Sequence, residues 1–559
     1  MKYFTILLFF FILYASKAQT DQELVYGTYF GGENTDFISS SITDSVGNLY
    51  IVGRTYSETN IATSGSYQES FNGIADGFIA KFNYDYNLIW STYFGGEGFD
   101  EISDIVVLVN GDIIVTGNTD SEADIATIDA YQETFGGFRD AFLARFSTDG
   151  ELIWSTYFGG SNYDIGKSLA IDLDENIFIV GTLGSDGMAT SGSYQENRGG
   201  GLDGLCAKFS NGGALIWATY YGGEFNDEFV DIKINISQEL NLLGITSSET
   251  NIATTNVHQE SLSGIENSFI VKFTLAGDRN WATYYGGESR DIPYSINTDF
   301  NNNIIISGYT DSDTGIATPG AHKTIREFTD AYLASFNSEG QINWGTYFGG
   351  ERREEDSYIE IKGDDIYFTG RTDSEEGIAN GSPYQAEYAG PYNDVFNPDI
   401  YLSKFNSGGQ QVWGTYYGNT GFDGPNKILL IEDNLFLLTG GSTSTEGLTT
   451  QDAMNPENAG LADGLFAVFN VDLLISVNEI KSGELSVYPN PANNYFIINL
   501  PLTLPENGMV EIYTLEGKRI AVFDHYISGN RIPLNLAPGM YIVSYRSGSV
   551  ELRTKLMVE

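Results

Sequence analysis

The sequence predicts an all-β protein: a seven-bladed β-propeller closed by its own N-terminal strand, followed by a small C-terminal β-sandwich. Three observations predict it. A strand phrase with an aromatic anchor recurs at a near-constant period, a second strand recurs seven times between these phrases, and the period stops at Phe469. A fixed period with a repeated anchor means an array of one structural unit.

The phrase is clearest at Ile153-Trp154-Ser155-Thr156-Tyr157-Phe158-Gly159-Gly160. All six tryptophans, Trp90, Trp154, Trp217, Trp281, Trp344 and Trp413, open such a phrase, and Tyr26 replaces Trp in the first copy. Successive anchors lie 64, 64, 63, 64, 63 and 69 residues apart. Trp154, Thr156 and Phe158 share one face of the strand, with Ile153, Ser155 and Tyr157 on the other. The paired glycines let the chain turn sharply.

The second repeat shows the rest of the unit. Ile102 to Leu108 is an apolar, β-branched run, Asn110-Gly111 a hairpin signal, and Ile113 to Thr116 the return strand. A polar loop from Asn118 to Arg139 leads into a third strand, Asp140 to Phe146, which Thr148-Asp149-Gly150 turns into the next Trp strand. The third strand recurs at Phe78–Phe82, Phe142–Phe146, Leu205–Phe209, Phe269–Phe273, Tyr332–Phe336, Tyr401–Phe405 and Leu465–Phe469. The last unit has no Trp strand after it, so Leu24–Phe30 is expected to complete it. Closure removes the open edge of a linear array, and four strands per repeat favour a propeller over a β-solenoid. The long loops and the Gly-Gly loops emerge on one side, the short hairpins on the other. The long-loop side is the expected binding face, because function concentrates on loops held by a rigid scaffold.

Length and composition agree. With 559 residues, 41% hydrophobic and 14% aromatic, the chain can fill a large core, and 65 glycines against 13 prolines suit many tight turns. The net charge of −47 argues against nucleic acid or an anionic membrane as partner. Residues 1–18 have the form of a secretory signal: Lys2, an apolar run from Phe4 to Tyr14, and small residues before a cut between Ala18 and Gln19. The run is too short to span a bilayer, and no transmembrane segment is expected in the mature chain, which is expected to be monomeric. Cys206 is the only cysteine and takes a position filled by Ile79 and Leu143 in other repeats, so it is expected as a small buried hydrophobe.

Several motifs recur in fixed order. In the second repeat they are Tyr93-Phe94-Gly95-Gly96, Asp100, Val115-Thr116-Gly117, Ile125-Ala126-Thr127, Tyr131-Gln132-Glu133 and the strand from Asp140 to Phe146. This order resembles the bacterial beta-propeller repeat known as SBBP, over roughly residues 24–469, within a propeller domain expected to span residues 19–469. The resemblance implies a secreted or surface propeller and no particular reaction. Residues 470–484 form a linker. Residues 477–559 carry 7 Lys and Arg against 8 Asp and Glu, so nearly all the acidity, −48, lies in residues 19–476.

From 485 to 559 seven strand-like runs follow: Leu485–Tyr488, Tyr495–Leu500, Val510–Thr514, Ile520–Phe523, Arg531–Leu534, Gly539–Tyr545 and Val550–Val558. Tyr488-Pro489-Asn490-Pro491, Tyr513-Thr514-Leu515-Glu516-Gly517, Leu536-Ala537-Pro538-Gly539-Met540-Tyr541 and Lys555-Leu556-Met557-Val558 resemble the type A C-terminal sorting domain of the type IX secretion system. That resemblance implies the secretion machinery as partner. It also implies export to the cell surface or medium, with removal of the tail and anchoring or release. A plain sandwich that stays attached is the alternative.

Two acidic positions recur. One is Asp36, Asp100, Asp164, Asp227, Asp291, Glu354 and Asp423; the other is Asp76, Asp140, Asp203, Asp330, Asp399 and Asp463, with Asn267 in the remaining repeat. Calcium would suit such oxygen ligands, but presence in every repeat favours carboxylates that cap loop N–H groups. Asp311-Ser312-Asp313-Thr314-Gly315 and Asp172-Leu173-Asp174-Glu175-Asn176 resemble pieces of calcium loops, with Asp311, Asp313, Asp172 and Asp174 as candidate ligands; neither completes the pattern, and turns are the expectation. Gly160…Gly166-Lys167-Ser168 misses the phosphate-loop spacing. His258 and His322 take the place of Tyr67, Tyr131, Tyr194 and Tyr384, an aromatic packing position, and no nucleophile elbow occurs.

The expected role is therefore binding or adhesion to a glycan or protein, with no catalytic residue and no cofactor assigned. A propeller-type polysaccharide-acting enzyme and a structural surface-layer component are the alternatives. For the enzyme, the longer sixth repeat with its Tyr388–Pro398 insert is the place to look.

Overall fold

A computed structural model describes residues 22–390, 397–432 and 434–471. In the C-terminal part it describes 486–488, 492, 495–499, 508–514, 518–526, 531–533, 536–547 and 550–558. The expected cleavage pair Ala18 and Gln19, the sorting-motif residues Pro489, Asn490, Pro491 and Gly517, and part of the sixth-repeat insert lie outside the described residues. Contacts divide the chain into two compact units, Met1–Leu473 and Leu474–Glu559. No helix occurs among the described residues, and so none is long and apolar enough to cross a membrane.

Strand β1 (Glu23–Phe30) opens the first unit. Next come β2 (Asp36–Thr43), β3 (Leu49–Thr55), β4 (Asp76–Phe82) and β5 (Leu88–Phe94), a four-stranded antiparallel sheet in that order. Five further sheets repeat the pattern. The seventh, built from Asp423–Glu432, Leu435–Ser442 and Asp463–Asn470, takes β1 as its fourth strand, with Gly27 opposite Ala467 and Tyr29 opposite Leu465. Adjacent sheets share apolar cores. Leu143 of the second sheet packs in one cluster with Ile179 and Leu205 of the third. Phe466 and Val468 of the seventh pack with Ile51, Phe78 and Phe82 of the first. The Phe82 and Phe466 rings are 5.2 Å apart. Strand β2 touches both the first strand of the second sheet and the Asp423–Glu432 strand.

The tryptophans explain the period. Trp154 stands half-buried at the start of its strand, its ring over Gly213 in the next sheet's outer hairpin. Its Nε1–H donates to Asn211 O at 3.1 Å. Trp90, Trp217, Trp281 and Trp344 bond equivalent hairpin carbonyls at 3.2, 3.3, 2.9 and 2.8 Å. A large flat ring with one N–H donor suits a strap across the seam between sheets. Tyr26 does the same work by stacking on Tyr86, 4.8 Å between centroids. The long loops are fastened similarly. Tyr67, Tyr131, Tyr194 and Tyr384 meet Phe146, Phe209, Phe273 and Phe469 of the following sheets. His258 and His322 meet Phe336 and Phe405 in the same way. Cys206 is fully buried and unpaired by disulfide.

Every first strand carries a bulge. The register breaks between Ile38 and Ser40, Ile102 and Asp104, Gly166 and Ser168, Phe229 and Asp231, and Pro293 and Ser295. It breaks again between Glu355 and Tyr358 and between Pro425 and Lys427. A bulge leaves a residue unpaired and re-aims a side chain.

The second unit has two sheets, one of Ser486–Tyr488, Tyr495–Asn499 and Arg531–Pro533, the other of Arg519–Tyr526, Gly508–Tyr513, Gly539–Ser547 and Val550–Val558. Phe496, Ile498 and Ile532 of one share a core with Ile512, Val543 and Leu556 of the other. Gly539 pairs with Val558 and Lys555 with Ile542, and the Tyr541 hydroxyl donates to Ala537 O at 2.8 Å.

Candidate functional site

Two features of the first unit carry charge in an organised way. The first is the seam between sheets on the long-loop side, where the recurrent acids meet in pairs. Asp100 Oδ2 accepts the Gly96 N–H at 2.8 Å and the Ser121 hydroxyl at 2.7 Å, and Oδ1 accepts the Thr119 hydroxyl. Asp76, from the preceding sheet, accepts the Asn72 N–H and the Gln68 amide at Oδ2, both at 2.9 Å. Its Oδ1 is buried without a hydrogen-bond partner. Asp76 Oδ1 and Asp100 Oδ2 would lie 2.6 and 2.7 Å from a β-carbon on Gly95, so only glycine fits between them. The same oxygen is orphaned in Asp140, Asp203, Asp399 and Asp463.

Burial lifts Asp76 and Asp140 to about 7 and Asp399 to about 8; the facing Asp100, Asp164 and Asp423 push the same way, against the loop N–H bonds. The two exceptions relieve the charge by other means. Asn267 sets its amide 3.4 Å from Asp291, and Lys323 stands in the Gln position with Nζ 2.9 Å from Asp330. These acids clamp loops, as their presence in every repeat leads one to expect.

The candidate calcium ligands are not brought together. Asp172 accepts the N–H groups of Asp174 and Asn176 at 3.0 and 2.8 Å and pairs with Lys208 at 3.0 Å, in a short hairpin, where Asp174 is exposed. Asp311 and Asp313 lie in a long loop at the opposite end of the sheets, bonded to the Thr329 hydroxyl at 2.8 Å and to Arg326 at 2.6 Å. Among the described residues no group of three or more His, Cys, Asp or Glu side chains is placed to hold a metal. In the sixth-repeat insert, the described flanks are tied by the Tyr388 hydroxyl to Asn397 O at 2.7 Å.

The second feature is a cavity of about 850 Å³, lined by the first strand of every one of the seven sheets. A belt of polar contacts runs around it. The Ser40 hydroxyl donates to Asp104 at 2.7 Å, and Ser168 Oγ lies 2.9 Å from both Asp104 and Asp231. Asp231 also accepts the Ile296 N–H at 2.9 Å, and the Asn426 amide donates to Ile38 O at 2.8 Å. Burial opposes the charge on Lys427, but Asp104, Asp231 and Glu360 more than offset it and hold its pKa above the usual lysine range.

Five cations line the cavity, Arg54, Arg139, Lys167, Lys233 and Lys427, against four acids, Glu101, Asp104, Asp231 and Glu360. Residues 19–476 hold only 19 Lys and Arg against 67 Asp and Glu. Along the cavity wall cations therefore outnumber acids, against the balance of residues 19–476 as a whole. At its long-loop mouth, guanidinium groups and rings alternate. Arg54 lies 5.6, 5.5 and 5.2 Å from the Phe37, Tyr56 and Phe99 rings, and Arg139 lies 4.8 and 5.5 Å from Phe99 and Tyr163. Phe138, beside Tyr163, is 69% exposed. Sequence reasoning missed these residues. The signal available was their departure from the repeat: Arg54 answers to Asn118 in the next sheet, and Phe99 to Tyr163 and Asn226 in the two that follow.

Comparison with known proteins bears on both units. Residues 153–182 match the Beta-propeller repeat family, and residues 486–559 match the Secretion system C-terminal sorting domain family. An uncharacterized WD repeat-containing protein of Acanthamoeba polyphaga mimivirus is 26% identical over 330 residues, 49% of this chain and 24% of that protein, so the match spans about a quarter of the relative. Among solved structures, PorZ, a surface component of the type-IX secretion system of Porphyromonas gingivalis, aligns over 95% of this chain and 60% of that chain at 11% identity and TM-score 0.31. An ulvan lyase aligns over 75% and 93% at 9% identity and TM-score 0.39. The sorting domain marks the chain for the type IX secretion machinery, and with it for export to the cell surface or the medium.

Proposed function

We propose that this exported β-propeller protein is a non-catalytic binding or adhesion protein that takes a glycan or protein ligand at the mouth of its cavity, on the long-loop face. The observation that supports this best is where the repeat breaks down. One seam acid recurs in all seven sheets, and the tryptophan straps and loop aromatic residues recur in most of them. The bulge positions that line the cavity are not: Ser39, Ser103, Lys167, Val230, Tyr294 and Asn426 differ in size and charge. A scaffold needs equivalent seams, whereas a single asymmetric ligand needs unlike groups around it.

The reading includes a closed seven-bladed ring with β1 as the outermost strand of the last blade. Support comes from the pairing of β1 with Asp463–Asn470, the packing of the seventh sheet on the first, and the cavity shared by seven first strands. The reading assigns no cofactor; the seam acids that could offer oxygen ligands accept loop N–H groups. Glycan-array binding by the full chain, with calcium and then with chelator, tests the reading. Saturable binding indifferent to chelator is expected. Loss on chelation would return calcium to the site. Release of new reducing ends from a bound polysaccharide would move the protein to the enzymes.

A further inference from the structure

We infer that the mouth of the cavity is built for an acidic oligosaccharide, one bearing carboxylate or sulfate groups; this rests on the binding reading above. Charge selects the anion. With −48 on residues 19–476 an anionic ligand is repelled at long range, so it needs a local site where cations outnumber acids and field lines are focused by the walls. The cavity provides it, and its acids are already committed. Asp104 and Asp231 hold the belt, and Glu101 and Asp120 are the partners of Arg54 and Arg139 at 3.4 and 3.2 Å.

Lys167 is the cation left over. It is the bulge residue of its strand, exposed within the cavity wall. Across the cavity the corresponding bulge offers Asp356; Arg371 holds that carboxylate at 2.9 Å and Glu355 at 2.7 Å, two acids to one guanidinium, so that sector stays acidic. With Glu101 and Asp120 set against Arg54 and Arg139, the sector of Arg54, Arg139 and Lys167 keeps one positive charge in excess, that of Lys167.

The rings select a sugar. The ladder of Phe37, Arg54, Phe99, Arg139 and Tyr163 gives flat apolar faces with planar donors between them. Guanidinium groups match carboxylate or sulfate oxygens in two-point contacts, and the faces match the C–H surfaces of sugar rings. A volume of about 850 Å³ falls in the range of small-ligand sites, suited to a few sugar rings and not to a folded protein.

The test uses the full chain and isothermal titration with four probes at low ionic strength. These are an oligogalacturonate, its methyl ester, a sulfated galacto-oligosaccharide and a cello-oligosaccharide. The acid or the sulfated probe is expected to bind at least about tenfold tighter than the ester or the neutral probe, with affinity falling as salt is raised. Whichever of the two binds names the source of the charge. Lys167→Met, an exposed position, should lose about tenfold for the acidic probe and keep the wild-type unfolding midpoint; Arg139→Gln is the second variant. If the neutral probe or the ester binds as tightly as the acid, glycan binding stands and the anion inference falls. If Lys167→Met and Arg139→Gln both bind like wild type, the site is elsewhere and the inference falls. If no glycan binds at all, the anion inference falls and the binding reading is left with a protein ligand alone.

Discussion

The seams between the sheets and the cavity they surround are built from the same strands, yet they obey opposite rules. At the seams, Trp90 and Trp344, or Asp100 and Asp227, make the same bonds in sheets far apart in sequence. In the cavity, positions equivalent by register carry Ser103, Lys167 and Tyr294. The difference separates stability from recognition within one chain. Each seam must carry the same load, so each solves it alike. The cavity is one place, so its seven contributors are free to differ.

If that division is right, scaffold substitutions will cost stability in every sheet, and the largest loss will come from the cores. Phe142 is fully buried and packs 5.3 Å from Phe94 of the sheet before it. Phe142→Ala should cost about 3–5 kcal/mol, read by chemical denaturation of the full chain. An effect below about 1 kcal/mol would mean that the sheets do not depend on shared cores.

The seam acids come next. Asp100→Ala strands the Gly96 N–H and the Thr119 and Ser121 hydroxyls in a buried place. A buried donor left unmade costs about 1–3 kcal/mol, so the variant should lose about 3 kcal/mol, since the two hydroxyls can turn to other acceptors. A loss no greater than that of an exposed residue would show that the clamp is ornamental.

Much of this was legible in the sequence. The anchors sit at a fixed period, and all seven strand runs of the C-terminal unit lie close to the observed strands, from Ser486–Tyr488 to Val550–Val558. The two acidic positions were visible as well. What could not be read was that Asp76 and Asp100, from different repeats, meet across Gly95, because sequence spacing does not show which loop faces which strand. The bulges were hidden for a related reason. One extra residue in a run such as Ile102 to Leu108 breaks the period of two, and a buried apolar run shows no alternation to break. Lys167 therefore reads as part of a missed phosphate-loop spacing, and nothing in the spacing sets Arg54 and Arg139 apart.

Acidity should sharpen the comparison further, because the seams titrate. A carboxyl whose folded pKa is raised contributes stability that is complete below the ordinary aspartate range and is lost as pH rises through the folded value. With Asp76 and Asp140 near 7 and Asp399 near 8, the unfolding midpoint should fall as pH is raised from about 5 to about 8. Asp140→Asn should flatten that slope and be tolerated, since the chain already places Asn267 at the equivalent seam, 3.4 Å from Asp291. A variant with an unchanged slope would remove Asp140 from the titrating set.

The smallest effect belongs to the short hairpins, far from both seam acids and cavity mouth. Several use one left-handed residue: Gly111 at φ +87°, but Gln238 at +58° and Glu175 at +59°. Glycine reaches this region without penalty, whereas other residues pay about 1 kcal/mol. Gly111→Ala should therefore cost about 1 kcal/mol, and Gln238→Gly should gain less than that, because glycine also loosens the unfolded chain. The amide of Gln238 accepts only an exposed N–H from Leu173 at 3.4 Å, so little is lost with it. Both variants should bind the acidic probe like wild type. A hairpin change that altered binding would place recognition on the wrong end of the sheets, and the division between uniform scaffold and varied cavity would have to be redrawn.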